Sequence, residues 1–145
     1  MHAEESALWS LDRKDGMEKA YCCFNSNARD FARFGQLLLN NGQWDDRQLI
    51  SPAYLAEATS PDTRLVYKDL GKPNHCYGFQ YWILDYKGMK IPYMRGILGQ
   101  YVFTLPEKNA VIVRLGHKRS DTYTADQHYP DDINTWLDAA MDLLQ

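Results

Sequence analysis

The fold of this chain is decided by residues 101–115, which read Tyr101-Val102-Phe103-Thr104-Leu105-Pro106-Glu107-Lys108-Asn109-Ala110-Val111-Ile112-Val113-Arg114-Leu115. Two runs rich in β-branched and aromatic residues flank four turn-forming residues, a pattern typical of two strands joined by a tight turn. Because so short a connection leaves no room for a crossover, the two strands are expected to be antiparallel neighbours.

Two more strands are predicted immediately before this pair. The first covers the aromatic run Tyr77–Leu84, the second covers about Met89–Arg95, and Lys87-Gly88 forms the turn between them. Gly96 and Gly99 interrupt the pattern before the next strand. Taken alone, these two glycines predict a tight turn or a bulge. The sequence therefore predicts an antiparallel meander of about four strands.

Three helices are predicted around this sheet. The first begins after the capping residue Asn27 and ends at Asn40-Asn41-Gly42, residues that tolerate the left-handed conformation. Ser51-Pro52 is typical of a second helix start, because the hydroxyl caps and proline suits the first position. The third begins at Asp131 and Asp132, and its apolar residues follow at helical spacing: Ile133, Trp136, Leu137, Ala140, Met141 and Leu144.

These elements predict an α+β fold, an antiparallel sheet of about four strands with a C-terminal helix packed on it. Residues 1–75 are expected to be mainly helical and loop, and residues 76–145 to hold the sheet and the terminal helix. The length of 145 residues suits one domain or a piece of a larger one.

The composition excludes several function classes. Hydrophobic residues make up 45% and charged residues 24% of the chain, which is not the composition of a disordered tail. The net charge of −3 gives no basic excess, so no nucleic-acid partner is expected. Apolar runs are too short for a membrane span, and the acidic start His2-Ala3-Glu4-Glu5 does not resemble a signal peptide.

The cysteines and histidines do not indicate a metal or cofactor site. Cys22, Cys23 and Cys76 lack the Cys-x-x-Cys spacing of a tetrahedral zinc site, and the four histidines are scattered along the chain. Adjacent cysteines rarely pair with each other. We therefore interpret all three as small buried thiols, and expect no metal and no cofactor.

A nucleophile motif is also absent from the sequence. None of the six serines is followed three residues later by lysine, and no Gly-x-Ser-x-Gly element occurs. The glycines of Gly96-Ile97-Leu98-Gly99 are not followed by the Lys-Ser/Thr of a phosphate-binding loop.

Four segments resemble, in order, the β-lactamase-related serine hydrolases, a group that includes class C β-lactamases, penicillin-binding-protein-like peptidases, related esterases and 6-aminohexanoate-dimer hydrolase. Residues 27–42 are similar to the group's "ARDFARFG…LLLNxG" helix, and residues 44–52 to its "W-x-G-x-Q-I-[VI]-S-P" step. Residues 77–82 are similar to "YGYQWW", and residues 95–109 to "RGILGQYIYVxPEKN".

The resemblance implies an incomplete β-lactamase/transpeptidase-like fold, the C-terminal portion of such an enzyme. In the group, a Ser-x-x-Lys nucleophile and a Tyr-x-Asn element precede the helix at Asn27 by well over a hundred residues. A third element, Lys-Thr-Gly or a variant, matches Met94-Arg95-Gly96 on the strand edge that binds substrate. The positive charge of its lysine would be missing here or supplied by Arg95. The residue after its glycine, Ile97, would donate its backbone N–H to the oxyanion hole.

Two interpretations of function follow. In the first, the chain is part of a serine hydrolase that acts on a small-molecule or peptidoglycan-like substrate (β-lactam, peptide, ester or amide), and it is inactive without the missing motifs. Such a parent would suit the periplasm or cell envelope. In the second, it is a non-enzymatic binding or self-associating module. The resemblance places the group's first strands beside residues 110–115, so this edge is expected to be open and to pair with a second copy or with residues 1–25.

Overall fold

The computed structural model describes residues 1–68, 71–126 and 128–144, and these contain ten strands and three helices. The strands are β1 (Leu8–Trp9), β2 (Phe24–Asn25), β3 (Gln43–Trp44), β4 (Arg47–Gln48), β5 (Val66–Tyr67), β6 (Lys72–Pro73), β7 (Trp82–Tyr86), β8 (Met89–Gly96), β9 (Gln100–Leu105) and β10 (Ala110–Arg114). The helices are α1 (Ala28–Leu39), α2 (Pro52–Ala58) and α3 (Asp132–Leu143). None of the described helices is long and apolar enough to cross a membrane.

The predicted meander is present as one antiparallel sheet of four strands in the order β10-β9-β8-β7. In its register Val111 lies opposite Thr104, Tyr93 opposite Phe103, and Trp82 opposite Tyr93. The α+β prediction is therefore confirmed. The first six strands form three separate two-stranded ladders, and all three lie in residues 1–75, where no strand was predicted from the sequence.

The first predicted strand begins later than expected. Residues 77–80 form a tight turn in which the Gly78 amide donates to the Tyr81 carbonyl and Gln80 has a φ of 65°. The turn lies against α2, because a Cβ on Gly78 would be 2.1 Å from the Ala58 carbonyl oxygen. The aromatic run indicated a strand from Tyr77, but tertiary contact with α2 overrides that local preference.

Helix α1 has the ends that the sequence predicts. The Asn27 side chain accepts a hydrogen bond of 2.9 Å from the Asp30 amide, and Asn41 and Gly42 have positive φ beyond the last turn. The buried Asp30 carboxylate also accepts from the Glu4 and Glu5 amides and from the Ser26 hydroxyl. These hydrogen bonds, that of Glu4 above all, hold the pKa of Asp30 below its usual value and fasten the N-terminal residues to α1.

The two faces of the sheet are covered by different helices. On one face α3 packs on the main core, made of aromatic and aliphatic residues of β7, β8, β9 and α3 together with Tyr129, which precedes α3: Leu84, Tyr86, Ile91, Tyr93, Tyr101, Phe103, Leu105, Tyr129, Ile133 and Leu137. On the other face α1 lies on β9 and β10. A Cβ on Gly35 would be 2.4 Å from Val111 Cγ1, so glycine lets the helix approach the sheet closely.

The interpretation of three buried thiols is wrong for two of the cysteines. Cys22 and Cys23 are joined by a disulfide, and Cys23 is exposed with a φ of 70°. Cys76 is a buried free thiol, and burial raises its pKa. An unusual backbone conformation at Cys23 allows neighbouring residues to bond, which spacing alone did not suggest.

We predict that Gly35→Val destabilises the fold by about 1–3 kcal/mol, because the new methyl groups would overlap Val111 and Val102. The change is measured as the free energy of unfolding in urea. Gln36→Val, at the exposed neighbouring position, is the control and should cost only a few tenths of a kcal/mol through helix propensity. If both variants lost the same free energy of unfolding, the close approach of α1 to the sheet at Gly35 would not contribute to stability.

Candidate functional site at the free edge of β8

Strand β8 is longer than β7, and its last residues have a strand neighbour on one side only. The β7 register starts with Trp82 opposite Tyr93, whereas β9 continues to pair with Met94, Arg95 and Gly96. Among the described residues, no strand pairs with Met94–Gly96 on the β7 side. An extended ligand can therefore reach the backbone of these three residues, as in strand addition to a sheet edge.

The turn that follows this edge is tightly constrained. It covers Ile97–Gly99, with the Leu98 φ at 57° and the Gly99 φ at 82°. The Ile97 side chain is 78% exposed, whereas Gly99 is buried. A Cβ on Gly99 would lie 1.8 Å from an Arg114 nitrogen, and Arg114 Nη1 donates to the Gly99 carbonyl at 2.6 Å. The second glycine is therefore required by the arginine packed against it.

Gly96 plays a different part from Gly99. Its φ of −99° and ψ of 175° are ordinary extended values that any residue adopts. A Cβ there would lie 3.0 Å from Gln100 Cβ, its cross-strand partner, so an alanine would fit with a small adjustment. The three nearest atoms to such a Cβ all belong to Gln100, so no other side chain is packed closely against this face of Gly96.

Arg95 lies on the α3 face of the sheet, with Tyr93 and Tyr101. Its guanidinium stacks 3.4 Å from the centre of the Trp82 ring and donates to the His128 carbonyl at 2.9 Å. A longer bond of 3.4 Å reaches the Tyr93 hydroxyl, whose pKa is raised by burial. Cation–π contact and a carbonyl partner thus hold this charge within the fold.

Met94 lies on the opposite, α1 face. Side chains alternate along a strand, and Met94 pairs across the sheet with Val102, which packs under α1. The structure therefore brings Met94, Gly96 and Ile97 together at one end of β8. The Arg95 charge lies on the α3 face of the sheet, opposite the face of Met94. Sequence reasoning missed the stacking of Arg95 on Trp82, which the aromatic-rich pattern of the two neighbouring strands could have suggested.

Four of the six serines make local side-chain hydrogen bonds with groups other than lysine. The Ser26 hydroxyl donates to Asp30, Ser51 caps α2, Ser60 donates to the Ala56 carbonyl, and Ser120 accepts from the Thr122 amide. Within the described residues, no group of three His, Cys, Asp or Glu side chains is placed to hold a metal ion. None of these four hydroxyl groups bonds to Met94, Arg95 or Gly96, so what the described edge of β8 offers a ligand is its backbone.

Comparison with known proteins gives structural neighbours. "Putative 6-aminohexanoate-dimer hydrolase from Bacillus anthracis" superposes with a TM-score of 0.68 and 26% identity, covering 98% of this chain and 34% of that chain. "Crystal structure of putative beta-lactamase from Bacteroides dorei DSM 17855" superposes with a TM-score of 0.51 and 15% identity, covering 81% of this chain and 40% of that chain. No family model and no curated protein matches.

Both neighbours are more than twice as long as the matched part, so this chain spans roughly a third of the hydrolase and at most two fifths of the β-lactamase. The second likeness concerns the fold alone. The first extends over nearly every residue of this chain and includes the sheet, α1 and α3. The resemblance seen in the sequence is therefore confirmed, and the chain is a portion of the fold of the β-lactamase-related serine hydrolases.

Proposed function

We propose that this chain supplies the substrate-binding strand edge of a β-lactamase-like serine hydrolase. The observation that carries the proposal is the unpaired β7 side of Met94–Gly96, which ends in a sharply turned segment. In such an enzyme an acyl group is transferred to a serine and then released by water. The substrate would be a small molecule or a peptidoglycan-like peptide that carries a β-lactam, ester or amide bond.

The proposal gives the two ends of this segment different roles. The open backbone of Met94–Gly96 would hold the substrate as a short extended partner beside the sheet. The Ile97 amide, first in the turn, would meet the oxyanion that develops at the carbonyl under attack. Met94 carries no charge, and the Arg95 guanidinium is occupied by Trp82 and His128. Recognition at this edge would therefore rest on shape and backbone hydrogen bonds.

We predict that the 145-residue chain does not hydrolyse a chromogenic β-lactam or a p-nitrophenyl ester above background. The acyl-enzyme route needs a serine activated by a neighbouring base, and the chain has no Ser-x-x-Lys. Turnover is followed by absorbance at increasing substrate concentration. Saturable turnover that disappears on mutating one of the six serines would contradict the proposal. The reading frame upstream of Met1 gives a second test, since Ser-x-x-Lys encoded there is expected.

We predict that Gly96→Val lowers kcat/KM by about 10²–10³-fold in a polypeptide that joins this chain to its nucleophile segment. The valine would cover the strand edge and displace the Ile97 amide. Gly96→Ala should have a smaller effect, because a single methyl needs only a small shift of Gln100.

Lys90→Val is the matched control for this substitution. It places the same side chain on β8 at an exposed position outside the open edge, and it removes an exposed ion pair of 2.8 Å between Lys90 and Asp85. An exposed pair of this kind contributes only about 0–1 kcal/mol. The unfolding midpoint of each variant is measured alongside the kinetics to separate folding from catalysis. Equal kcat/KM for Gly96→Val and the parent would show that Gly96 has no part in substrate binding and serves only the turn.

A second candidate function is self-association through β10. In the described part of the chain, β10 pairs with β9 alone, and residues 1–25 do not pair with it. The edge presents five half-buried residues whose outer backbone groups have no strand partner. Antiparallel pairing of two copies about Ile112 would place Val111 opposite Val113 and Ala110 opposite Arg114, so that no like charges meet.

We predict that Ala110→Glu strengthens and Ala110→Lys weakens this dimer, because residue 110 would face Arg114 of the second copy. A cross-strand charge pair contributes roughly 0.2–1 kcal/mol, and the twofold axis repeats it. Sedimentation velocity over a range of protein concentrations gives the dissociation constants. Within one chain, residue 110 faces Leu105 and packs against the main core, so both charged variants should lose some monomer stability. Unfolding in urea measures that loss and separates it from the change in association. A parent that stays monomeric, or variants that associate alike, would exclude this edge.

A further inference from the structure

The disulfide between neighbouring residues lies in the N-terminal part of the chain, outside the candidate site. Cys22 and Cys23 are bonded to each other, and Cys23 is exposed to solvent. A thiol in solution can reach an exposed disulfide, because exchange begins with attack of a thiolate on one of its sulfurs. The third cysteine, Cys76, is a free thiol that is only 1% exposed. The chain therefore holds one disulfide that a reductant can reach and one thiol that is protected.

The backbone at Cys23 has a conformation that the bond requires. In an extended chain the side chains of neighbouring residues point to opposite sides, so a bond between them needs a backbone that departs from the extended form. The Cys23 φ of 70° is such a departure, and a residue with a Cβ seldom adopts it. Reduction would remove the covalent link, and an extended φ would then be favoured at Cys23.

The pairing of the two N-terminal strands is interrupted at the same place. The Ser10 amide, just after β1, donates to the Cys23 carbonyl at 3.2 Å, and the Ser10 carbonyl accepts from the Lys19 amide at 3.1 Å. One residue is thus bonded to two residues of the opposite segment that are separated by residues 20–22. These three residues are left out of the pairing, and we name them the disulfide loop.

The disulfide loop is displayed on the surface beside a fixed point. Tyr21, at its centre, is 79% exposed. On the other side of Cys23, the Phe24 ring packs edge-on against Phe31 and Phe34 of α1, at 5.7 and 6.0 Å between ring centres. Because α1 holds Phe24, a change of φ at Cys23 would rotate the disulfide loop relative to the rest of the chain.

We propose that Cys22–Cys23 is a thiol–disulfide exchange site whose reduction changes the shape of the disulfide loop. A thiolate of a dithiol reductant attacks the exposed Cys23 sulfur and breaks the S–S bond, and Cys22 leaves as a thiolate that takes up a proton. The second thiolate of the reductant then attacks the reductant sulfur of the mixed disulfide, and Cys23 leaves in the same way. Two electrons and two protons pass to the cysteines, and the reductant becomes a disulfide.

The oxidised and reduced states differ in the backbone of residues 19–23. In the oxidised state Cys23 is left-handed and the disulfide loop displays Tyr21 in one arrangement. In the reduced state Cys23 relaxes and the hydrogen bonds that join Ser10 to both ends of the loop are weakened. Phe24 keeps its contacts with α1, so the change stays local. None of these residues belongs to the open edge of β8, so this proposal does not depend on the proposed function.

The bond and its reduction are tested by counting reactive thiols in the 145-residue chain with iodoacetamide and mass spectrometry. The chain purified without reductant should take up no label in its folded state, because Cys76 is buried. After treatment with dithiothreitol we expect two labels, on Cys22 and Cys23, and a third only after unfolding in urea. Two labels before reduction, or none after it, would overturn the proposal.

The change of shape is tested by amide hydrogen exchange followed by nuclear magnetic resonance. Reduction should speed exchange of the Ser10 and Lys19 amides about tenfold and leave the amides of α1 unchanged. Cys22→Ser should exchange like the reduced chain. Combining it with Cys23→Gly should slow exchange again, because glycine adopts the left-handed φ without a bond. Cys76→Ala, the control, should keep the response to reductant. Equal exchange of Ser10 and Lys19 in the oxidised and reduced chain would contradict the proposal.

Discussion

The burial of β9 on both faces is the constraint on which the rest of the structure depends. Tyr101, Phe103 and Leu105 are at most 1% exposed on the α3 side, and Val102 and Thr104 are nearly as buried on the α1 side. At roughly 25 cal/mol per Å² of apolar surface, each of the large side chains contributes a few kcal/mol. Neither helix alone could bury this strand, so α1, the sheet and α3 must form together.

Anchoring β9 in this way also fixes the turn that precedes it. Gln100 is the first residue of the buried strand, and its side chain exchanges hydrogen bonds with the Gly116 backbone beyond β10. Arg114 then reaches back from β10 to the Gly99 carbonyl. The segment Ile97–Gly99 is therefore held from both sides, and the left-handed residues Leu98 and Gly99 are tolerated because their surroundings fix them. The end of β8 is shaped by residues that follow it by fifteen or more positions.

The elements that could be predicted from the sequence are those whose signals are local. Alternating apolar residues indicated β8, β9 and β10, and the caps Asn27 and Ser51 located α1 and α2 within a residue. The late start of β7 could not be predicted, because it follows from the contact of Gly78 with Ala58 in another element. The Cys22–Cys23 disulfide and the small β5–β6 ladder likewise depend on backbone conformations that composition does not encode.

In the candidate site, too, the residues with a local sequence signal could be predicted, and the contacts between distant elements could not. The sequence resemblance indicates four residues of the site: Met94, Arg95, Gly96 and Ile97. The register of β7 and β8 explains why the backbone at this edge has no strand partner. The orientation of Arg95 required the structure, since its stacking on Trp82 depends on the register between β7 and β8. The position of Arg114 was equally hidden, because its contacts with Gly99 and Trp136 join a strand, a turn and a helix that meet only in the folded chain.

Two open stretches of the sheet, the end of β8 and the outer side of β10, are suited to different occupants. Successive residues of a strand direct their N–H and C=O groups to opposite sides, so the three free residues of β8 offer at most two with outward groups. That number fits a single amide-like group but is too small to fix the register of another strand. The five residues of β10 offer a longer ladder flanked by apolar side chains. A short ligand at the end of β8 and a whole strand along β10 are thus the matched partners, and β9, which lies between β8 and β10, separates the two places.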